Sequence, residues 1–163
     1  MAEQHVADRT VQQERMIVDS SSAGSQTARA SQSDRALERA LVAARTADDN
    51  RGRDIVILDL RELTTFFDYF VIATGTSRRQ LHAISEEIDH ALEEGMGDRR
   101  MGIEGYNESR WILLDYGDLV VHIFEPDTRD YYALEELWAE AKRVPFEPRT
   151  PPSSPDLHGE QPG

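Results

Sequence analysis

The stretch RWILLDYGDLVVHIF, residues 110–124, holds side chains that can do chemistry. Two strands joined by a turn at Gly117 and Asp118 would place Trp111, Asp115, Asp118 and His122 on one hairpin. Two carboxylates could hold a magnesium ion if they converged, and an imidazole could transfer protons. An indole beside a carboxylate is also a typical interface anchor. Metal binding, catalysis, docking and plain folding are therefore all open.

Side chains alternate along a strand, so the hairpin has two faces. A two-residue turn predicts three opposed pairs, which are Tyr116 with Leu119, Leu114 with Val121, and Ile112 with Ile123. Their face is wholly apolar. The other face is mixed and carries Trp111, Leu113, Asp115, Val120, His122 and Phe124. Either helices cover both faces and His122 pairs with a nearby carboxylate, or the mixed face is partly open and binds a partner.

Other catalytic patterns are weak in this sequence. It has no cysteine, which excludes thiol catalysis and cysteine-ligated zinc, and its histidines form no metal-binding pair. The nearest acids at two-residue spacing, Glu87 and Asp89, lie about 200° apart on a predicted helix and cannot share a metal. At Gly75–Ser77, phosphate could rest on backbone amides, although helix capping explains this loop equally well. A nucleotide-binding or nucleotidyltransferase-like enzyme using this loop is the alternative function, and no metal or cofactor is predicted.

Apolar spacing predicts the elements that position these residues. A first helix starts at Ser33 or Asp34 and buries Leu37, Ala40, Leu41 and Ala44. The runs RDIVILDL and FFDYFVIATG read as buried strands, a second helix runs from Ser77 to Gly95, and RRMGIEGY holds a short strand before the hairpin. A last helix starts at Asp127 or Thr128, stops before Pro145, and carries Tyr131, Leu134, Leu137, Trp138 and Ala141 inward. The order αββαβββα predicts an α/β fold with a mixed sheet of about five strands flanked by helices.

Composition divides the chain into three parts. Residues 1–33 are rich in Ser, Gln and Ala and are expected to be a disordered arm, residues 34–147 form the folded domain, and residues 148–163 form a proline-rich tail. Since there is no long apolar run, we expect a soluble, cytoplasmic protein. The net charge of −13 would repel phosphate backbones, so direct nucleic-acid binding is not expected. The segment from Trp111 to Glu140 contains eight acidic residues and one basic residue, Arg129. This negative charge either serves solubility or attracts a basic protein.

Four motifs in this order resemble the Iojap family of ribosomal silencing factors. They are DIVILDLREL, DYFVIATGTSRRQLHAISEEI, EGYNESRWILLDYGDLVVHIF and RDYYALEELW. The resemblance covers roughly Leu37 to Trp138, which is almost all of the predicted folded unit. Each motif alone is modest, but the ordered combination is specific. The resemblance implies a domain similar to nucleotidyltransferases but without their catalytic acids.

The resemblance also implies a function that is not enzymatic. Family members bind large-subunit ribosomal protein fourteen where the small subunit would dock, hinder the joining of the subunits and repress translation under nutrient limitation. They often pair as homodimers, so a homodimer is possible here too. By resemblance, the partner-binding positions of this chain are Trp111, Leu113, Asp115, Tyr116, Asp118, His122 and Glu125. Trp111 would be the apolar anchor, and the carboxylates would meet Lys or Arg of the partner.

Overall fold

A computed structural model describes the backbone of residues 23–149 and the side chains of residues 27–149. Residues 1–22 of the expected disordered arm and residues 150–163 of the proline-rich tail lie outside the described residues. Within the described range the helices are α1 Ala23–Asp49, α2 Arg78–Met96, α3 Pro126–Tyr132 and α4 Leu134–Leu137. The strands are β1 Arg53–Asp59, β2 Tyr69–Thr74, β3 Gly102–Glu104, β4 Trp111–Asp115, β5 Leu119–Phe124 and β6 Lys142–Val144.

The strands form one mixed sheet in the order β3-β4-β5-β2-β1-β6. The central strands β2 and β5 are parallel, and the other neighbours are antiparallel. Both central strands are buried along their whole length, as expected for continuous apolar runs covered on two faces. The mixed α/β sheet flanked by helices is therefore confirmed, with six strands where about five were expected.

Helices α1 and α2 cover one face of the sheet. The stripe that α1 buries consists of alanines at helical spacing, namely Ala36, Ala40, Ala43, Ala44 and Ala47. From α2, Leu81, Ile84, Ile88 and Leu92 enter the same cluster. Small side chains let α1 lie close to its neighbours, because little volume separates the backbones. The expected stripe of α1 was partly wrong, since Leu41 is 36% exposed and Leu37 only packs at the edge.

Aromatic side chains fill the opposite face. Phe67, Phe70, Trp111 and Phe124 are buried there, and Leu134 and Trp138 of the C-terminal segment pack against them. Phe70 and Trp138 meet edge to face, with ring centroids 5.9 Å apart. This face therefore lies under α3, α4 and the residues that follow them.

Three predicted boundaries were wrong. Helix α1 begins at Ala23 and not at Ser33 or Asp34. Helix α2 starts as expected at the Ser77 cap, but it ends at Met96, where Gly97 adopts φ 64°. The last predicted helix is broken into α3 and α4, and its expected end, Lys142–Val144, pairs with β1 as an edge strand.

The break between α3 and α4 lies at Ala133, which has φ 46° and ψ 50°. This left-handed conformation is costly for alanine, so contacts elsewhere in the fold must hold it. The break turns side chains expected to face inward to the surface. Tyr131 is 82% exposed and Leu137 is 73% exposed, which contradicts the predicted inward positions, whereas Leu134 and Trp138 do pack against the aromatic core.

Candidate docking surface

The hairpin has the register expected from a two-residue turn. Leu114 pairs with Val121 and Ile112 with Ile123, and the Tyr116 amide donates to the Leu119 carbonyl at 2.9 Å. Gly117 adopts φ 93°, a conformation that an L side chain rarely takes. The apolar face of the hairpin lies against α1 and α2, and the mixed face belongs to the aromatic core.

Trp111 lies at the start of β4 and is 9% exposed. Its ring stacks on Phe124, with centroids 4.8 Å apart, and Tyr132 of α3 lies 4.9 Å from it on another side. The indole N–H donates to Nδ1 of His122 at 3.1 Å. The indole is thus directed into the protein, and Tyr132 takes its place at the surface.

His122 is completely buried next to this indole. Its ring meets Phe70 edge to face with centroids 4.6 Å apart. Burial lowers the pKa of His122 to about 3, so the imidazole is neutral at physiological pH. Since Nδ1 accepts the indole proton, Nε2 carries the ring hydrogen, and it has no hydrogen-bond partner among the described residues. The partner of His122 is thus an indole, where the covered-face interpretation expected a carboxylate.

Three other residues of the expected contact set are also buried. Leu113 is 1% exposed. Asp115 is 6% exposed and accepts the Gly117 amide at 2.8 Å, which supports the turn. Tyr116 faces α2 and donates to Asp89 at 2.9 Å, and burial together with this bond raises the pKa of its hydroxyl. Leu113, Asp115, Tyr116 and His122 therefore act within the fold in this conformation.

Asp118 and Glu125 are the remaining two, and both are partly exposed. Asp118 forms an ion pair with Arg39 of α1, which also binds Asp98 at 2.7 Å. Glu125 accepts the Thr128 hydroxyl at 2.8 Å. The two acids lie beyond opposite ends of β5, which spans about 20 Å, so the expected contact residues do not form a single patch.

The hairpin carboxylates do not form a magnesium pair. Asp115 binds a backbone amide, and Asp118 binds a guanidinium. Among residues 27–149, no group of three or more His, Asp or Glu side chains is arranged to hold a metal ion.

The Gly75–Ser77 loop acts as a helix cap. The Ser77 hydroxyl accepts the Gln80 amide at 3.1 Å, and the Gln80 side chain accepts the Thr76 amide at 2.7 Å. A Cβ on Gly75 would lie 2.7 Å from a methyl carbon of Leu81, so the glycine permits close packing. The cap uses the groups that the nucleotide alternative required for a phosphate.

Helices α3 and α4 expose three large apolar side chains, two of which, Tyr131 and Leu137, were expected to face inward. Tyr131 and Tyr132 meet edge to face with centroids 5.0 Å apart, and Leu137 follows on α4. We call these three residues the tyrosine patch. The same segment also carries the exposed acids Asp127, Asp130, Glu136 and Glu140. One sequence signal was available, because two consecutive tyrosines are about 100° apart on a helix and cannot both face one core.

A buried arginine holds the segment that carries the tyrosine patch. Arg129 of α3 binds both carboxylate oxygens of Glu135 at 3.0 Å, and its third bond goes to the Thr74 hydroxyl at 2.7 Å. The arginine is 9% exposed. It therefore ties α3 and α4 to each other and to the end of β2.

Comparison with known proteins places the chain in a family. A family model described as "Ribosomal silencing factor during starvation" matches residues 33–161. The chain belongs to the family of ribosomal silencing factors. This confirms the resemblance that the sequence motifs suggested, and the names of the family describe regulators of the ribosome.

Individual silencing factors and a solved structure agree with this assignment. Ribosomal silencing factor RsfS of Bacillus subtilis is 46% identical over 101 residues, which cover 61% of this chain and 84% of that protein. The chloroplast protein Iojap of Arabidopsis thaliana is 31% identical over 140 residues, covering 85% of this chain and 58% of that protein. A crystal structure from Chromobacterium violaceum superposes with a TM-score of 0.61 at 39% identity and covers 63% of this chain and 85% of its own. In this silencing factor, no described helix is long and apolar enough to cross a membrane.

Proposed function

We propose that this silencing factor binds large-subunit ribosomal protein fourteen, blocks the joining of the ribosomal subunits and represses translation under nutrient limitation. It acts in the cytoplasm by occupying a surface, without catalysis. The binding unit is the domain of residues 34–147, a nucleotidyltransferase-like sheet without the catalytic acids. Membership of the family supports the ribosomal role.

The observation that carries this proposal is the exposure of the tyrosine patch. Tyr131 and Leu137 each expose more than two thirds of their surface on a segment that Arg129 holds in place. Large aromatic residues fixed on a rigid support are typical binding hot spots, because little conformational entropy is lost on contact. The acids around the patch would meet the basic side chains common in ribosomal proteins and would accelerate encounter.

The hairpin residues take two roles in this proposal. Glu125 is partly exposed directly before α3 and extends the contact beyond the tyrosine patch, whereas Trp111 is buried and Asp118 lies beyond the other end of β5. Leu113, Asp115, Tyr116 and His122 contribute from below by fixing the indole and the turn. Trp111 anchors the partner mainly through Tyr132, which its ring supports.

Co-sedimentation with isolated large ribosomal subunits tests the proposal. We expect the full chain to sediment with large subunits, and Tyr131→Ser with Leu137→Ser to abolish this while leaving the unfolding temperature unchanged. The matched control is Leu63→Ser with Met101→Ser, which removes two exposed apolar side chains elsewhere. If the tyrosine-patch variant binds as tightly as the control, the tyrosine patch is not the docking surface. If the tyrosine-patch variant instead converts a dimer to a monomer and leaves ribosome binding intact, the tyrosine patch serves self-association.

A further inference from the structure

Five exposed arginines lie at one end of the sheet, where β2 and β5 finish. The register places Arg53 opposite Thr74, the last residue of β2, and places Trp111, which follows Arg110, opposite Phe124, the last residue of β5. Arg51 and Arg78 join them through contacts of Gln80 and Asn107, and Arg79 follows Arg78 on α2. The Gln80 side chain donates to the Arg51 carbonyl at 2.9 Å, and Arg78 donates to the Asn107 carbonyl at 2.9 Å. We call Arg51, Arg53, Arg78, Arg79 and Arg110 the arginine end.

None of these five guanidinium groups forms an ion pair with a described residue, although acids are near. Asp54 and Glu108 are exposed neighbours in sequence. Glu86 is held by the Tyr106 hydroxyl, and Glu125 by the Thr128 hydroxyl. The five guanidinium groups therefore have no ion-pair partner among the described residues, while the neighbouring carboxylates keep their negative charge.

The opposite end of the sheet shows the contrast. There Arg39 binds Asp98 and Asp118, and Arg61 binds Asp59 at 2.7 Å. These two arginines are thus neutralised by aspartates within the fold. The five guanidinium groups of the arginine end form no ion pair with a described residue, and Arg78 instead donates to the Asn107 carbonyl.

Two of the five arginines lie at the N-terminus of α2, where positive charge is unfavourable for the helix. Arg78 and Arg79 are the first residues of α2, whose first turn contains no acid. Positive charge at a helix N-terminus works against the helix dipole. The cap hydrogen bonds of Ser77 and Gln80 already satisfy the adjacent backbone, so the arginines do not serve capping. A binding role explains charges in a place where folding disfavours them.

We propose that the arginine end binds the phosphate backbone of RNA. This rests on the proposed function, in which the protein lies on the large ribosomal subunit, whose surface offers RNA beside proteins. Arg110 and Arg53 are three strand spacings apart, roughly 14 Å, which spans several phosphates of a nucleic-acid strand. A shallow, open depression beside Arg78 and Arg79 is also lined by His82, Ala83 and Glu86.

The net charge of −13 does not prevent such binding. At physiological ionic strength charges are screened over about 8 Å, so a local cluster governs contact with phosphate. The acids of α3 and α4 lie on the face that carries the aromatic core, and α2 lies on the other. The acidic segment begins beside Arg110, since the Glu125 amide donates to the Arg110 carbonyl at 2.8 Å, so the protein-binding face and the arginine end adjoin.

Fluorescence anisotropy with a labelled RNA hairpin and the full chain tests the inference. We expect wild-type binding that weakens steeply between about 50 mM and 200 mM salt, and about tenfold weaker binding for Arg78→Glu with Arg79→Glu, with a shallower salt dependence. Arg29→Glu with Arg99→Glu makes the same charge change away from the arginine end and should bind as wild type. Arg51→Glu with Arg110→Glu gives a second variant if the first fails to fold. Absence of wild-type binding, or equal losses in the control, would overturn the inference.

Large-subunit sedimentation separates this inference from the proposed function. Loss of binding in the tyrosine-patch variant, together with salt-sensitive weakening in the Arg78→Glu, Arg79→Glu variant, supports both. If the arginine variant sediments like wild type at every salt concentration, RNA contact is refuted while protein docking stands. If the tyrosine-patch variant sediments normally, the proposed docking surface fails, and the anisotropy result still decides the role of the arginine end.

Discussion

Replacing Arg129 with alanine should destabilise the protein and loosen the segment that carries the tyrosine patch. The substitution removes three charge-assisted hydrogen bonds and leaves Glu135 and Thr74 without this partner. Breaking a fully buried ion pair costs about 3–5 kcal/mol. Because the Glu135 side chain is 25% exposed, water can solvate the remaining carboxylate, and we expect a loss of about 2–3 kcal/mol. For a domain of this size the unfolding temperature should fall by roughly 8–12 °C.

Urea unfolding at neutral pH measures the change in the free energy of unfolding, and amide hydrogen exchange shows where it acts. We expect faster exchange in α3 and α4 than in β2 and β5. Arg61→Ala is the control, since Arg61 binds both oxygens of Asp59 but its side chain is 45% exposed, and such a pair contributes at most about 1 kcal/mol. Equal small losses in the two variants would refute the argument that burial of the Arg129 pair organises this segment.

Three further predictions concern single residues. Burial lowers the pKa of His122 to about 3 in the folded protein, so the unfolded chain binds more protons below about pH 6.5. The free energy of unfolding should therefore fall by about 2 kcal/mol from pH 7.5 to pH 5. His122→Phe should remove this loss in unfolding titrations at the two pH values. Gly105→Ala should lower the free energy of unfolding in urea by more than about 2 kcal/mol. The alanine Cβ would lie 1.9 Å from the Trp111 carbonyl oxygen, and the backbone there has φ 75°. A loss below about 1 kcal/mol would contradict this geometry. Ala133→Gly should be neutral or stabilising in thermal melting, because glycine adopts φ 46° without strain. The control Ala91→Gly, inside α2, should cost about 1 kcal/mol. Equal losses in the two variants would exclude strain at Ala133.

The hairpin and the start of α2 could be predicted from the sequence because local rules decide them. A side-chain period of two and a turn at Gly117 and Asp118 fix the register of β4 and β5. Ser77 and Gln80 at three-residue spacing mark the start of a helix. Both features depend on neighbours within a few positions, so one sequence contains the information.

The C-terminal segment could not be predicted in this way because distant residues decide it. Apolar spacing favoured one helix, but Arg129 bonds to Thr74, 55 positions earlier, and Lys142–Val144 pairs with β1. These contacts break the helix at Ala133 and expose Tyr131. The expected contact residues were likewise named without knowing that α3 would cover Trp111.

The parallel pairing of β2 and β5 has a consequence for synthesis of the protein. Tyr69 pairs with Leu119 and Thr74 with Phe124, so about fifty residues must leave the ribosome after β2 before its central neighbour can join. The edge strand β6 arrives still later and closes against β1. The segment that carries the tyrosine patch follows β5 in the chain, so a nascent copy cannot complete this surface until translation has passed α4.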